Sequence, residues 1–176
     1  MNTCLLVIDY QNDFVDGALG FEGADQLAAG IKTCIDIYHQ AGHDVIFTLD
    51  THHENYLDTQ EGKKLPIKHC IKGTDGHRLY PLVDQARTNR DVVFYKGTFG
   101  SLDLANYLAQ KHYDEITLVG LVTNICVISN AVLAKAALPE AKIIIYRNLV
   151  ASFDHELHEK TLQVMESLQM DVRDFS

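Results

Sequence analysis

The chain has 176 residues, a hydrophobic fraction of 47%, a charged fraction of 22% and a formal net charge of −9. These proportions are those of one soluble globular domain over residues 1–176, long enough to bury a substantial core. The acidic balance argues against nucleic acid or an anionic membrane surface as partner, since both reward Lys and Arg, and no apolar run approaches the roughly eighteen residues of a membrane span.

The opening "MNTCLLVIDYQNDF" has no basic leader and reaches a carboxylate at Asp9, so it reads as part of the domain and not as a secretory signal. Within it, "CLLVID" (Cys4 to Asp9) is a first apolar run. A Gly-rich loop follows over Val15 to Gly23. Then "ADQLAAGIKTCIDIYHQAGH" places Leu27, Ile31, Ile35 and Tyr38 at helical spacing, with Gly42 as its stop. "DVIFTLD" (Asp44 to Asp50) is the second strand-like run. Thr51 to Leu79 is long, irregular and rich in His, Lys and acidic residues, and a stretch of that length in a compact domain is usually functional or disordered. "DVVFYK" (Asp91 to Lys96) reads as a third strand and "SLDLANYLAQKH" as a Ser-capped helix. "EITLVGLV" (Glu115 to Val122) is a fourth strand, running into a helical pattern over Ile125 to Ala137 that Pro139 stops. "AKIIIYR" (Ala141 to Arg147) is a fifth strand, "HELHEKTLQVMESL" a helix, and Met170 to Arg173 a short final strand.

Strands that are apolar throughout, alternating with amphipathic helices, predict a three-layer α/β/α domain. Its sheet is parallel and each strand is buried on both faces. The four cysteines, Cys4, Cys34, Cys70 and Cys126, are far apart and form no CxxC pair, so they are expected to be reduced thiols in the cytoplasm.

In open α/β sheets ligands sit at the carboxyl ends of the strands. Strand one ends at Asp9. Strand two ends at Asp50, with His52 two residues on. Strand three ends at Lys96, and strand four leads through Thr123 to Cys126. Singly, each has a structural reading: a turn carboxylate, a solvated lysine, a core thiol, a chance Asp-x-His among nine histidines. Together they suit acyl transfer at an amide carbonyl. A helix N-terminus and a nearby Lys⁺ favour thiolate. A carboxylate can move the proton, and backbone N–H groups at the turn can face an oxyanion. "DYQNDF" after the first strand is not GxGxxG, so no dinucleotide phosphate cradle is expected there.

Asp9 in "IDYQNDF", Lys96 in "YKGTFGS" and Cys126 in "GLVTNICV" resemble the isochorismatase-like cysteine hydrolases, over nearly the whole chain and in order. The resemblance implies a parallel sheet of order 3-2-1-4-5-6. It implies an Asp-Lys-Cys triad with Cys126 as nucleophile, Asp9 as proton shuttle and Lys96 as electrostatic partner. It also implies a cis peptide before Val122, oxyanion donors at the N–H groups of Val122 and Cys126, and a homo-oligomer. True isochorismatases lack the cysteine, so Cys126 points toward the amidases of the family.

Among these, nicotinamidases carry a metal on an Asp-x-His after strand two and a His before a cysteine. Asp50, His52 and His69, the last in "PIKHCIKGT", stand in matching places. Glu61 is the favoured fourth ligand and Glu54 the fallback, while His53, adjacent to His52, points elsewhere. Two His with carboxylates suit a divalent metal, Zn²⁺ first, with Mn²⁺ or Fe²⁺ as alternatives. In the related enzymes the metal holds a pyridine nitrogen, and Phe14 is the expected wall of the ring slot. The expected partner is a small-molecule amide. Two alternatives stand beside the nicotinamidase reading: the same triad acting on another small amide or carbamoyl compound over a vestigial loop, and a non-catalytic thiol-sensing domain.

Overall fold

A computed structural model describes residues 1–176. Six strands, β1 (Thr3–Ile8), β2 (Asp44–Asp50), β3 (Val92–Lys96), β4 (Glu115–Leu121), β5 (Lys142–Ala151) and β6 (Asp171–Arg173), form one sheet of order β3-β2-β1-β4-β5-β6. All five pairings are parallel. This is the order the sequence predicts. Four long helices cover the sheet: α1 (Ala28–Gln40), α2 (Leu102–Ala109), α3 (Ile128–Ala137) and α4 (His155–Ser167).

The side-chain alternation of β1 divides the core. Leu5 and Val7 face α1, joining Ile31, Ile35, Val45 and Phe47. Cys4, Leu6 and Ile8 face the other way, joining Leu104, Leu108, Ala131, Leu162 and Met165 of α2, α3 and α4. Both faces of the central strands are therefore dry, which is why they read as unbroken apolar runs. The helix ends follow their sequence signals. Ser101 Oγ accepts from Leu104 N–H at 3.1 Å to start α2, Asp154 Oδ1 accepts from Leu157 N–H at 2.9 Å to start α4, and Gly42, at φ +73°, ends α1.

Two strand expectations need correction. β3 is an edge strand and is not buried on both faces: Val92, Val93 and Phe94 are half-buried and Tyr95 is exposed. β5 runs four residues past Arg147, through Asn148 to Ala151, and shifts register against β4 between Leu118 and Gly120. The segment Thr51 to Leu79 is irregular as expected, but it contains a turn at Tyr56–Asp58 and a short helix at Gln60–Lys64. A bridge between His52 and Ile71 folds it on itself, and one between Gln11 and Leu79 ties it to the body.

Strand order reverses between β1 and β4, and their carboxyl ends open the crevice where this architecture places ligands. Gly120 makes that approach possible. It sits at φ +114° with the Ile8 backbone where a Cβ would be, so no side chain fits.

Candidate active site

Asp9, the first residue past β1, has left-handed backbone (φ +43°) and a fully buried side chain. Its Oδ1 accepts from Thr48 Oγ1 of β2 at 2.6 Å, and its N–H donates to Thr48 O at 3.1 Å. Oδ2 forms an ion pair with Lys96 Nζ at 2.5 Å. Lys96, the last residue of β3, also donates to Thr98 O at 3.0 Å. It reaches Cys126 Sγ at 3.6 Å and Asp50 Oδ1 at 3.6 Å. The ends of β1 and β3 and the turn after β4 thus meet at one ammonium group.

Electrostatics define the resting state. Burial would neutralise Lys96, but the carboxylates of Asp9 and Asp50 outweigh it and hold the group well above the ordinary lysine value as an ammonium. Burial raises the Asp9 carboxyl, and Lys96 opposes that. Burial, then the Asp9 carboxylate, push the Cys126 thiol far up, with Lys96 only partly offsetting them. The helix terminus and the lysine favour thiolate, but they do not outweigh complete desolvation beside a carboxylate, and the balance at Cys126 lies toward the thiol.

Cys126 lies in a wide turn, Thr123–Val127, where Val127 N–H reaches back to Val122 O at 3.2 Å. The Leu121–Val122 peptide is cis. Val122 N–H donates to no group of the chain, so it is free for a ligand.

Beside the triad stands a second group. Donor atoms of Asp50, His52, Glu61 and His69 all lie within 4.8 Å of one another. His52 Nε2 is 3.0 Å from Asp50 Oδ2 and 3.5 Å from Glu61 Oε1, while His69 Nε2 is 3.4 Å and 3.7 Å from the same oxygens. His69 Nδ1 lies 2.8 Å from Ile67 O, a contact that orients the ring and turns Nε2 toward the carboxylates. Burial would raise the Asp50 carboxyl, but hydrogen bonds from His52 and His69 and the charge of Lys96 hold it below the ordinary range. Burial and then Asp50 raise that of Glu61. Two imidazole nitrogens with two convergent carboxylate oxygens fit Zn²⁺, Mn²⁺ or Fe²⁺.

Glu61 reaches this group because Thr59 Oγ1 caps the short helix at Gly62 N–H (3.0 Å) and the buried Tyr56 ties its hydroxyl to Leu65 O (2.9 Å). Glu54 is exposed and pairs with Lys68 at 3.0 Å, and His53 is exposed. The structure brings neither into the group.

Cys126, Val122, Phe14, Asp50, Glu61 and His69 all line one cavity of about 500 Å³, which Phe99 and Phe153 flank. Phe14 packs at 5.6 Å between ring centroids against His69. Sequence reasoning missed three supporting side chains. Thr48, the lone hydroxyl in "VIFTLD", fixes Asp9. Gln11, fully buried, accepts from Asp50 N–H (2.8 Å) and donates to Asp50 O (2.9 Å) and His77 O (2.8 Å). Asp13 accepts from Cys70 N–H at 2.7 Å and so fixes the turn beside His69. A polar residue inside an apolar run is a usable signal for Thr48. The partners of Gln11 and Asp13 lie too far along the chain to be foreseen.

The isochorismatase domain model matches residues 3–175. PncA of Bacillus subtilis (strain 168), an isochorismatase family protein, is 32% identical over 169 residues, covering 90% of this chain and 91% of that one. The nicotinamidase/pyrazinamidase of Mycobacterium tuberculosis is 30% identical over 141 residues, covering 70% of this chain and 73% of its own. The crystal structure of nicotinamidase/pyrazinamidase PncA from Bacillus subtilis superimposes with a TM-score of 0.88 at 31% identity, covering 99% of this chain and 100% of that one.

Proposed function

The chain belongs to the isochorismatase family, and from that premise we propose that it is a metal-dependent nicotinamidase, hydrolysing nicotinamide to nicotinate and ammonia. The observation that carries the reading is the shared cavity: the thiol of Cys126 and three of the four convergent metal donors line the same apolar slot. A flat ring amide lying there can present its carbonyl to the sulfur and its ring nitrogen to the donor group. The relatives named as nicotinamidases support the same substrate. Four unpaired, buried thiols suit a reducing compartment such as the cytoplasm.

The chemistry follows from the resting state. Asp9 takes the thiol proton as the sulfur attacks the carboxamide carbon, and Lys96 stabilises the ions while they exist. The carbonyl oxygen becomes an oxyanion facing the N–H groups of Val122 and Cys126, an arrangement worth roughly 3–4 kcal/mol per donor. The C–N bond breaks as the nitrogen takes the proton from Asp9, ammonia leaves, and a thioester remains on Cys126. Water then loses a proton to Asp9 and attacks the thioester carbon. The C–S bond breaks, the acid leaves, and the sulfur recovers its proton. Asp50, His52, Glu61 and His69 would hold the metal, Zn²⁺ first. When bound it supplies a Lewis-acid position for a heteroaromatic nitrogen. Phe14 forms one wall of the slot.

Ammonia release from nicotinamide by Zn²⁺- or Mn²⁺-loaded protein tests the reading. Turnover by the wild type that a Cys126→Ala protein lacks, with an acyl adduct on Cys126 in quenched wild type, is the expected result. No release by the loaded wild type overturns it. The cavity volume, larger than a single ring amide requires, favours a second reading: the same triad acting on another neutral amide or carbamoyl compound. A substrate panel in the same assay separates the two.

A further inference from the structure

Asn130 lies one helical turn after Cys126, on α3, and is 1% exposed. Its Nδ2 donates to Cys126 O at 2.8 Å and to Phe99 O at 3.0 Å, and its Oδ1 accepts from Ser101 N–H at 3.0 Å. These three partners belong to two structures. Cys126 sits in the nucleophile's turn. Phe99 and Ser101 belong to the loop that carries the chain from Lys96 into α2, and Phe99 flanks the cavity into which Cys126 opens.

The residue type is dictated by these partners. Two carbonyl oxygens on different segments need two N–H donors, and the Ser101 N–H needs an acceptor. One primary amide supplies all three. A carboxylate would face both carbonyls with no donor, and a hydroxyl could serve only one of them. The loop is otherwise light: residues 97–100 read Gly-Thr-Phe-Gly, and the internal tie from the triad is Lys96 Nζ to Thr98 O. Gly100 lies so close to α3 that a Cβ there would meet Leu133 and Ser129. The loop is therefore clamped at Thr98 by the triad lysine and at Phe99 and Ser101 by Asn130.

We infer that Asn130 is a positioning residue that fixes the cavity wall at Phe99 and the Lys96 loop in register with the turn carrying Cys126. It touches no reacting atom. It acts through the carbonyl of the nucleophile and the backbone of the loop, and a misplacement on the ångström scale at such a site is worth about a hundredfold in rate. The inference rests on Cys126 being the nucleophile of the proposed reaction.

The test uses Asn130→Ala and Asn130→Thr proteins, with folding checked by circular dichroism and thermal midpoint. Cys126 is alkylated with iodoacetamide between about pH 5 and 9, and labelling is followed by peptide mass spectrometry. In Asn130→Ala the loosened loop admits water to the sulfur. Labelling at neutral pH should rise at least about threefold and its pH midpoint should fall, while kcat/KM falls about tenfold or more. In Asn130→Thr the hydroxyl can still bond Cys126 O four residues back, so kcat should stay within about threefold and KM should rise. Simple loss of stability can raise labelling and lower activity together, but it does not lower the pH midpoint of labelling in the folded protein, which is the discriminating readout. Labelling profiles, kcat and KM within about twofold of wild type in both folded variants, whatever their thermal midpoints, would overturn the inference. The labelling arm needs no substrate. If the wild type proves inactive on nicotinamide, the functional reading fails and the labelling profiles still decide the role of Asn130.

Discussion

Replacing Lys96 with Met tests whether the triad is held together by an ion pair stripped of water. Lys96 and Asp9 have side chains 2% and 0% exposed, with Nζ and Oδ2 2.5 Å apart. At an effective dielectric constant of about 20, unit charges at that separation attract by about 6–7 kcal/mol, against which stands the cost of desolvating both. Removing one partner of such a pair typically costs about 3–5 kcal/mol, because a buried charge is left alone, and Lys96→Met should lose that much in urea unfolding at pH 7. Chelator should be present throughout, so that metal binding does not contribute. The loss should also depend on pH. Burial already raises the folded-state carboxyl of Asp9, and without Lys96 it rises further. The folded variant then binds a proton that the unfolded chain releases, so its stability improves as pH falls from neutral toward the ordinary carboxylate range, and the gap to wild type narrows. Adding Asp9→Asn should recover at least half of the loss, with no recovery of activity. Loss of less than about 1 kcal/mol at pH 7, with no narrowing at low pH, would mean that the pair is solvated and would refute the reasoning.

Thr48→Val keeps shape but removes the hydroxyl that donates to Asp9 Oδ1; stability should fall by about 1.5–3 kcal/mol. Losing a donor to the charged form raises the Asp9 carboxyl further, so the acid limb of the kcat/KM profile should move to higher pH. Glu61→Gln and Glu54→Gln form a matched pair for metal analysis of purified protein. Only the first should lower metal affinity, by at least about tenfold, because Glu54 is exposed and pairs with Lys68. Equal loss in both would remove Glu61 from the site. Tyr38→Phe deletes a 2.7 Å hydrogen bond from α1 to Thr117 of β4; about 1 kcal/mol of stability should be lost, with kcat and KM unchanged, and a fall in kcat would show that the helix layer bears on the chemistry.

The triad was legible because its members end strands that declare themselves by unbroken hydrophobicity. Once Asp9, Lys96 and Cys126 are put at carboxyl ends of a parallel sheet, topology brings them together. Asp50 and His52 were legible for the same reason. His69 and Glu61 were visible only through resemblance. They hang on a segment whose shape is set by contacts such as Tyr56 to Leu65 and Asp13 to Cys70, and these leave no periodic trace. The helix over Gln60–Lys64 was missed because "QEGKK" is polar apart from its glycine and is held by its cap. The continuation of β5 was hidden by Arg147 and Asn148, polar residues inside a strand that otherwise reads as core. The size of the burial effect on Cys126 leaves no trace in the sequence, because neighbours along the chain show charge but not how completely water is excluded.

Asp50 has one oxygen on each side of a divide. Oδ1 faces Lys96 and the sulfur chemistry, and Oδ2 faces His52 and His69. The two halves of the site are therefore not modules. A lineage or a designer that discards the proposed metal site by changing position 50 also rewrites the field felt by the lysine, and so alters the surroundings of the Cys126 sulfur. Removing His52 or Glu61 instead leaves that carboxylate in place. The tolerated route toward a metal-free amidase on this scaffold starts at the histidines or the glutamate, and position 50 is the last of the four donors that can be let go.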